Sequence, residues 1–281
     1  MTGGLGKLGR WVVDELLTAR AGRCEYDVIV FDRAGSEAPQ DARRIHGDIQ
    51  DLDQVARALD GADAVVHLAS VPTNGLVPDE QTFGVNVMGT FNVYEAAHRS
   101  GVPRVVTVGS EAVLGWAPSA RNETTAPRYF PIDEEHPTEP QDTYGLSKLV
   151  VETIARSYAA RSNLVTVVLR PPWILEPHEL EHLREQGGVV PEAFSLLHYV
   201  DARDLARACR CALEQPLVGC HVLFVGSGES LAAEPLSSLL PRLRPQLGRL
   251  ADSLEKGGGS VSVARAAEVL NWRPQHFWRE D

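Results

Sequence analysis

Tyr144-Gly-Leu-Ser-Lys148 sets a phenol and an ammonium four residues apart, which on a helix is one turn on one face. A free phenol, with a pKa of ~10, is a poor base at neutral pH. A neighbouring cation favours the phenolate and lowers that value. Such a group can take the proton from an alcohol that is being oxidised. A third candidate, Ser110, follows the apolar run Arg104–Gly109, where its hydroxyl could hold the reacting oxygen in line with Tyr144. Tyr-x-x-x-Lys alone is a weak pattern, since the two residues at that spacing most often lie on a solvated helix face. Its weight depends on what accompanies it.

What accompanies it is the opening segment Thr2-Gly-Gly-Leu-Gly6-Lys-Leu-Gly9. Glycines at 3, 6 and 9 permit a tight turn, close backbone approach to a pyrophosphate, and close packing of helix on sheet. A helix follows, with Leu8, Trp11, Val12, Leu16 and Leu17 at helical spacing. The loop implies a dinucleotide, whose oxidised nicotinamide would take the hydride as Tyr144 takes the proton. Asp32, at the end of the next apolar run, supplies a carboxylate for a ribose 2′-hydroxyl and repels a 2′-phosphate. That favours NAD over NADP, although Lys7 and Arg33 are cations that could meet a phosphate. Such a loop normally leaves a central strand, and no apolar run precedes it here. The expectation is that a few N-terminal residues are absent and that the chain as written binds NAD weakly.

Strand-like runs alternate with helical patterns through the first two thirds of the chain. Strands are read at residues 27–32, 44–48, 64–69, 104–109 and 164–170, and helices at 51–59, 83–99 and 144–160. The alternation predicts an α/β fold, a doubly wound parallel Rossmann sheet. Pro171-Pro172 breaks the rhythm; a polar segment, a helix at 201–214 and a strand at 221–225 follow. The division predicted is a dinucleotide-binding core over 1–170 and a mixed region over 171–281. The latter holds a small C-terminal substrate lobe and elements that return to the core.

A net charge of −11 over 281 residues argues against nucleic acid or an anionic membrane, both of which need a basic footprint. No apolar run has membrane-span length and no charged-then-apolar leader is present, so a cytoplasmic protein is expected. The four cysteines, at 24, 209, 211 and 220, include no Cys-x-x-Cys and read as free thiols.

Together these segments resemble the extended short-chain dehydrogenase/reductases, in the NAD-dependent epimerase/dehydratase family, over nearly the whole chain. Thr2–Gly9 is similar to that family's TGGxGxxG loop, and Gly47-Asp48-Ile49 to its segment beside the adenine. His67-Leu-Ala-Ser70 is similar to the strand end beneath the cofactor, and Val85-Asn86-Val-Met-Gly-Thr90 to the helix after it. Val108–Gly115 aligns with the catalytic serine/threonine segment, and Leu169-Arg-Pro-Pro172, His198–Asp204 and Leu270–Pro274 complete the pattern. The resemblance implies catalysis by Ser110, Tyr144 and Lys148. It implies NAD binding by Gly3, Gly6, Gly9, Asp32, Asp48, Ile49, Leu68, Ala69, Ser70, Asn86, Tyr144, Lys148 and Pro171. It also implies hydride exchange at a secondary alcohol of a sugar or sugar derivative, nucleotide-linked or free, and a homodimer formed through the Tyr-x-x-x-Lys helix.

Two departures narrow that reading. Only a short segment lies between Arg170 and His198, which suits a free sugar, sugar acid or polyol better than a nucleotide sugar; uronate dehydrogenases resemble this compact plan. Ala112 stands where the 4,6-dehydratases carry the second acid of an Asp-Glu pair, which disfavours elimination of water and leaves redox or epimerisation. His178-Glu179-Leu-Glu-His182 matches HExxH, the pattern of zinc proteases, yet three fixed positions arise by chance and a surface helix is the plainer reading. No metal is expected. A non-catalytic dinucleotide-binding protein is the other alternative, disfavoured because serine, tyrosine and lysine all survive. Trp272, Phe277 and Trp278 are expected to pin the C-terminus to the core, His67 and His98 to be packing residues, and Asp133-Glu134-Glu135 to be a solvated run.

Overall fold

The computed structural model describes residues 1–18, 26–35, 41–116, 126–188, 197–254 and 258–279. Cys24, read as a free thiol, lies outside them. The first elements are α1 (Lys7–Thr18), β1 (Ile29–Asp32), β2 (Arg43–His46), α2 (Leu52–Ala58) and β3 (Val65–His67). A long helical rod follows in three parts: α3 (Asp79–Phe83), a π-helical turn at Gly84–Met88, and α4 (Gly89–Arg99). Then come β4 (Arg104–Val108), a 3-10 turn at Glu111–Leu114, α5 (Thr143–Arg161), β5 (Val165–Arg170), β6 (Trp173–Leu175) and α6 (Pro177–Glu185). The remainder is β7 (Tyr199–Asp201), α7 (Ala202–Glu214), β8 (Cys220–Phe224), α8 (Leu236–Leu243), α9 (Gly248–Ala251) and α10 (Ala264–Leu270).

Alternation along the strands explains the layers. On β3, β4 and β5 the residues Val66, Val106 and Val167 face one core with Val12, Val13 and Leu16 of α1 and Leu205, Ala208 and Cys209 of α7. Their neighbours Val65, Val105 and Val168 face a second core with Val55 of α2, Val93 and Ala97 of α4, and Ala155 and Tyr158 of α5. Each of these three strands is thus buried on both faces, the condition that makes a parallel sheet read as continuous apolar runs. All pairings are parallel: β3-β4-β5-β8 form one ladder and β1-β2 another.

Three residues join the two ladders. Phe31 N donates to Met1 O at 2.8 Å and Gly3 N to Phe31 O at 3.0 Å, while Thr2 N donates to Val66 O at 2.9 Å and Leu68 N to Thr2 O at 3.1 Å. Met1 to Gly3 therefore hold the central place in the sheet, bonded on both sides, and pass directly into the glycine loop. The α/β fold with its parallel sheet agrees with the sequence reading. α7 and β8 belong to this sheet and its helical layer although both lie beyond residue 170.

The C-terminal part adds a third core, in which Leu236, Leu239 and Leu240 of α8 pack on Leu114, Trp116, Ile132 and Phe224. The pair β6-β7 was not read from the sequence, because each strand is only three residues long. Trp272 and Trp278 do anchor the C-terminus: their indole nitrogens donate to Asp204 O at 3.0 Å and Ser230 O at 2.7 Å. Phe277 corrects the expectation, standing exposed. So does Glu134, which is half-buried and accepts from Phe224 N at 2.8 Å, locking the loop before α5 to the end of β8.

Arg170 at the end of β5 is fully enclosed and grips Glu152 of α5 through two bonds, Nε to Oε1 at 2.6 Å and Nη2 to Oε2 at 2.9 Å. Arg156 adds a third at 3.0 Å. The pair fixes α5, the helix of Tyr144 and Lys148, to the strand that ends just before Pro171. Removing one partner of a buried ion pair leaves the other uncompensated. Glu152→Ala is expected to lower unfolding free energy by about 3–5 kcal/mol in urea titration; a loss under about 1 kcal/mol would contradict this account.

Candidate active site

The glycine loop is shaped by its own backbone. A Cβ on Gly9 would lie 2.2 Å from Gly3 O, and one on Gly3, whose φ is +70°, would lie 2.6 Å from Ala69 N. Neither position admits a side chain. Gly6 differs: it is exposed, and a Cβ added there would come no nearer than 3.4 Å to Gly3 O. The turn thus packs Gly3 and Gly9 inward and leaves Gly6 facing out at the start of α1, where free backbone N–H groups attract an anion. This cradle fits a dinucleotide pyrophosphate.

Asp32 ends β1 beside the loop, where Oδ2 accepts from Leu5 N at 2.9 Å and Oδ1 from Ala34 N at 2.8 Å. It holds the loop and its own turn while keeping lone pairs for a ribose hydroxyl. Asp48 accepts from Gln50 N at 2.9 Å, and Arg33 lies 3.4 Å from its second oxygen. Lys7 turns from the loop to Glu179 at 2.5 Å, with Ile174 O at 3.3 Å. Of the two cations that could have met a 2′-phosphate, one is therefore engaged elsewhere.

Ser110, Tyr144 and Lys148 do come together at the carboxyl ends of the strands. Ser110 follows β4, and its Oγ accepts from Ala112 N at 3.1 Å, capping the 3-10 turn. The same hydroxyl is near enough to that of Tyr144 to influence its ionisation. Asp142 caps α5 by accepting from Gly145 N at 2.6 Å, and Tyr144 N donates to Asn74 Oδ1 at 3.0 Å. A Cβ on Gly145 would lie 2.6 Å from Ala112 O, so the helix can start this close to the serine turn only with glycine there. Lys148 Nζ lies 5.6 Å from the centre of the Tyr144 ring and donates to Val108 O at 3.2 Å and Ser70 Oγ at 3.3 Å.

Burial dominates the electrostatics of the pair. Burial pushes the Tyr144 phenol up to about 12, with Asp142 and Glu111 adding to the rise and the Ser110 hydroxyl opposing it. Burial likewise brings the Lys148 ammonium down to about 8. Both shifts favour the neutral form of the group, as desolvation does.

Behind these groups runs a buried chain of hydrogen bonds that the sequence reading did not assemble. Thr90 Oγ1 donates to Asn86 O at 2.6 Å, so it accepts from His67 Nε2 at 2.9 Å. That assigns the proton of His67 to Nε2 and makes Nδ1 the acceptor for Thr2 Oγ1, at 2.7 Å. Asn86 Nδ2 donates to Ser147 Oγ at 3.0 Å, and Ser147 Oγ to Tyr144 O at 2.7 Å. Asn86 Oδ1 also accepts from Val71 N at 2.7 Å. The amide of Asn86 is thus enclosed behind the site and ties α5 to the Val71 loop. Ile49 is likewise turned inward, its side chain filling the space over Gly89. Leu68 and Ala69 line the loop through backbone bonds to Thr2, and Pro171 O accepts from Glu111 N at 3.0 Å.

The HExxH match has a structural use. Glu179 accepts from Glu176 N at 2.7 Å in a capping box that starts α6, and also binds Lys7. Among the described residues no three His, Cys, Asp or Glu side chains gather as a metal site. Nor, among them, is any helix long and apolar enough to cross a membrane.

Residues 1–226 match the model of the NAD dependent epimerase/dehydratase family. The uronate dehydrogenase of Pseudomonas syringae pv. tomato is 38% identical over 180 residues, covering 63% of this chain and 56% of that enzyme. The chain thus spans little more than half the length of that relative. The L-arabinose 1-dehydrogenase (NAD(P)(+)) of Haloferax volcanii is 31% identical over 221 residues, 77% of this chain and 82% of that enzyme. A crystal structure of the dTDP-glucose 4,6-dehydratase DesIV from Streptomyces venezuelae, a double mutant with NAD bound, superposes with a TM-score of 0.72. It is 25% identical, with 98% of this chain and 91% of that one covered.

Burial holds His67 neutral, bringing its pKa from 6.5 down to about 3. The unfolded chain takes up the proton near 6.5 and the folded one only near 3, so this group's stabilisation is complete above 6.5 and is lost as pH falls toward 3. One such proton contributes a slope of about 1.4 kcal/mol per pH unit. His67→Gln is expected to flatten the dependence of unfolding free energy on pH between about 6 and about 4; an unchanged slope in urea titrations would exclude His67 as a source.

Proposed function

Because the chain belongs to the NAD dependent epimerase/dehydratase family, we propose that it exchanges hydride between NAD and a secondary alcohol of a sugar. The observation that carries this reading is the meeting of Ser110, Tyr144 and Lys148 beside the glycine cradle. NAD, when bound, supplies the hydride acceptor and a positive ring. The residues that would hold it are the loop Gly3–Gly9, Asp32, Asp48, Leu68 to Ser70 and Lys148. Ser110 orients the substrate oxygen toward Tyr144, which takes its proton. Because the chain's own groups leave the phenol near about 12, that transfer needs the cofactor's positive charge as well as Lys148.

Several features support redox or epimerisation at a free sugar. Ala112 offers no acid for elimination of water. Between β5 and β7 the described residues comprise one short strand and one short helix, a compact cover for a small ligand. Both sequence relatives named above are dehydrogenases by name, and this chain is read in the same class. Its division into a dinucleotide-binding core over 1–170 and a mixed region over 171–281 is part of the proposal. A cytoplasmic setting suits Cys209, Cys211 and Cys220, which are free and whose thiols burial pushes up, away from reactivity. A homodimer is supported by Met88, Phe91 and Leu146, exposed apolar residues of the π turn, α4 and α5.

Tyr144→Phe is expected to cut kcat at least about 10³-fold while changing the Kd for NADH less than about threefold. Nicotinamide absorbance and calorimetry report the two. Retained turnover would remove Tyr144 from its role. Leu146→Glu is expected to shift a dimer toward monomer in sedimentation velocity; an unchanged sedimentation coefficient would place any self-association elsewhere.

A further inference from the structure

Directly after Ser110, Glu111 meets His198, and Glu111 Oε2, His198 Nε2 and His198 Nδ1 are buried atoms without a well-aligned hydrogen bond. Glu111 follows Ser110 directly, at the head of the 3-10 turn, and its backbone is fixed by Pro171 O at 3.0 Å. His198 is 4% exposed, immediately before β7, with its backbone bridged to Ser230 and Gly226 close under its ring. Glu111 Oε2 and His198 Nε2 stand 2.9 Å apart, close enough for charge to be felt but off the line of a hydrogen bond. The Glu111 carboxylate is partly exposed, and its negative charge is also felt at the Tyr144 hydroxyl. It therefore has Ser110 beside it in the chain and a buried imidazole against one oxygen, with part of the carboxylate open.

A carboxylate held beside the hydroxyl that orients a substrate discriminates by charge. The exposed part of the Glu111 carboxylate can accept from a hydroxyl, while the buried His198 ring holds its other oxygen. A second carboxylate in the same place would meet Glu111 as a like charge. We propose that Glu111, positioned by His198, selects a neutral polyhydroxy sugar and disfavours a sugar acid at this site. This rests on the reading of the chain as an NAD-dependent sugar enzyme and names the substrate class of that same site. It separates this chain from the activity that the name of its Pseudomonas relative would suggest, and the residue responsible is one the Ser-Tyr-Lys reading does not use.

The test uses the matched pair D-galactose and D-galacturonate, which differ only in a hydroxymethyl against a carboxylate. Turnover with NAD, and calorimetric binding to the NADH complex, are measured on the full chain. The unaltered protein is expected to favour galactose by at least about tenfold in kcat/KM and in binding. Glu111→Gln is expected to shrink that ratio at least about fivefold, mainly by lowering KM for galacturonate, while His198→Asn raises KM for galactose with a smaller change in kcat. The pair in the unaltered protein decides the matter even if a variant fails to fold. A preference for galacturonate, or a ratio unmoved in Glu111→Gln, overturns the inference. UDP-galactose as the sole substrate turned over overturns it too while leaving the NAD-dependent reading intact; no turnover of any of the three, with NADH still bound, overturns that reading itself.

Discussion

The site depends on one continuous line of buried hydrogen bonds from Thr2 through His67, Thr90, Asn86 and Ser147 to the backbone of Tyr144. It begins in the glycine loop and ends at α5. Every member lies in or beside the apolar interior, where an unpaired polar group is costly, so the line is either complete or strongly disfavoured. The glycine cradle and Tyr144 thereby share one register. Neither could shift along the sheet edge without breaking bonds that no solvent replaces.

Two tighter contacts set the remaining dimension. Gly145 brings α5 against the serine turn, and the Arg170–Glu152 pair draws the middle of the same helix onto β5. Between them they fix the tilt of the helix as well as its depth. Lys148 then reaches back to Val108 O, at the end of the strand that carries Ser110. Ser110, Tyr144 and Lys148 come from two separate segments, yet backbone and ion-pair contacts away from the three side chains set their separations.

Much of this was legible in the residues. Alternating apolar runs predict the parallel sheet because strands buried on both faces leave that mark, and Val65 and Val66 serve two cores as a two-residue period requires. The glycine spacing and Tyr144–Lys148 were legible because each encodes a local geometry. The bonds of Asn86 to Val71 and Ser147 were not legible, because only the fold brings those residues near. The burial of the Tyr144 phenol was hidden for a related reason: spacing reveals the neighbouring cation but not how far water is excluded. The proximity of Glu111 to His198 joins residues far apart in the chain and leaves no periodic trace; a charged residue directly after the serine was the one available signal.

The start of α6 has a further consequence. Glu176 accepts the indole proton of Trp11 at 3.0 Å, and Glu179 binds both Glu176 N and Lys7. The carboxylates that begin this helix are thus the same ones that fasten it to α1. The bonds that order the first turn of α6 and those that attach it to α1 therefore share the same side chains, so loss of either carboxylate weakens both.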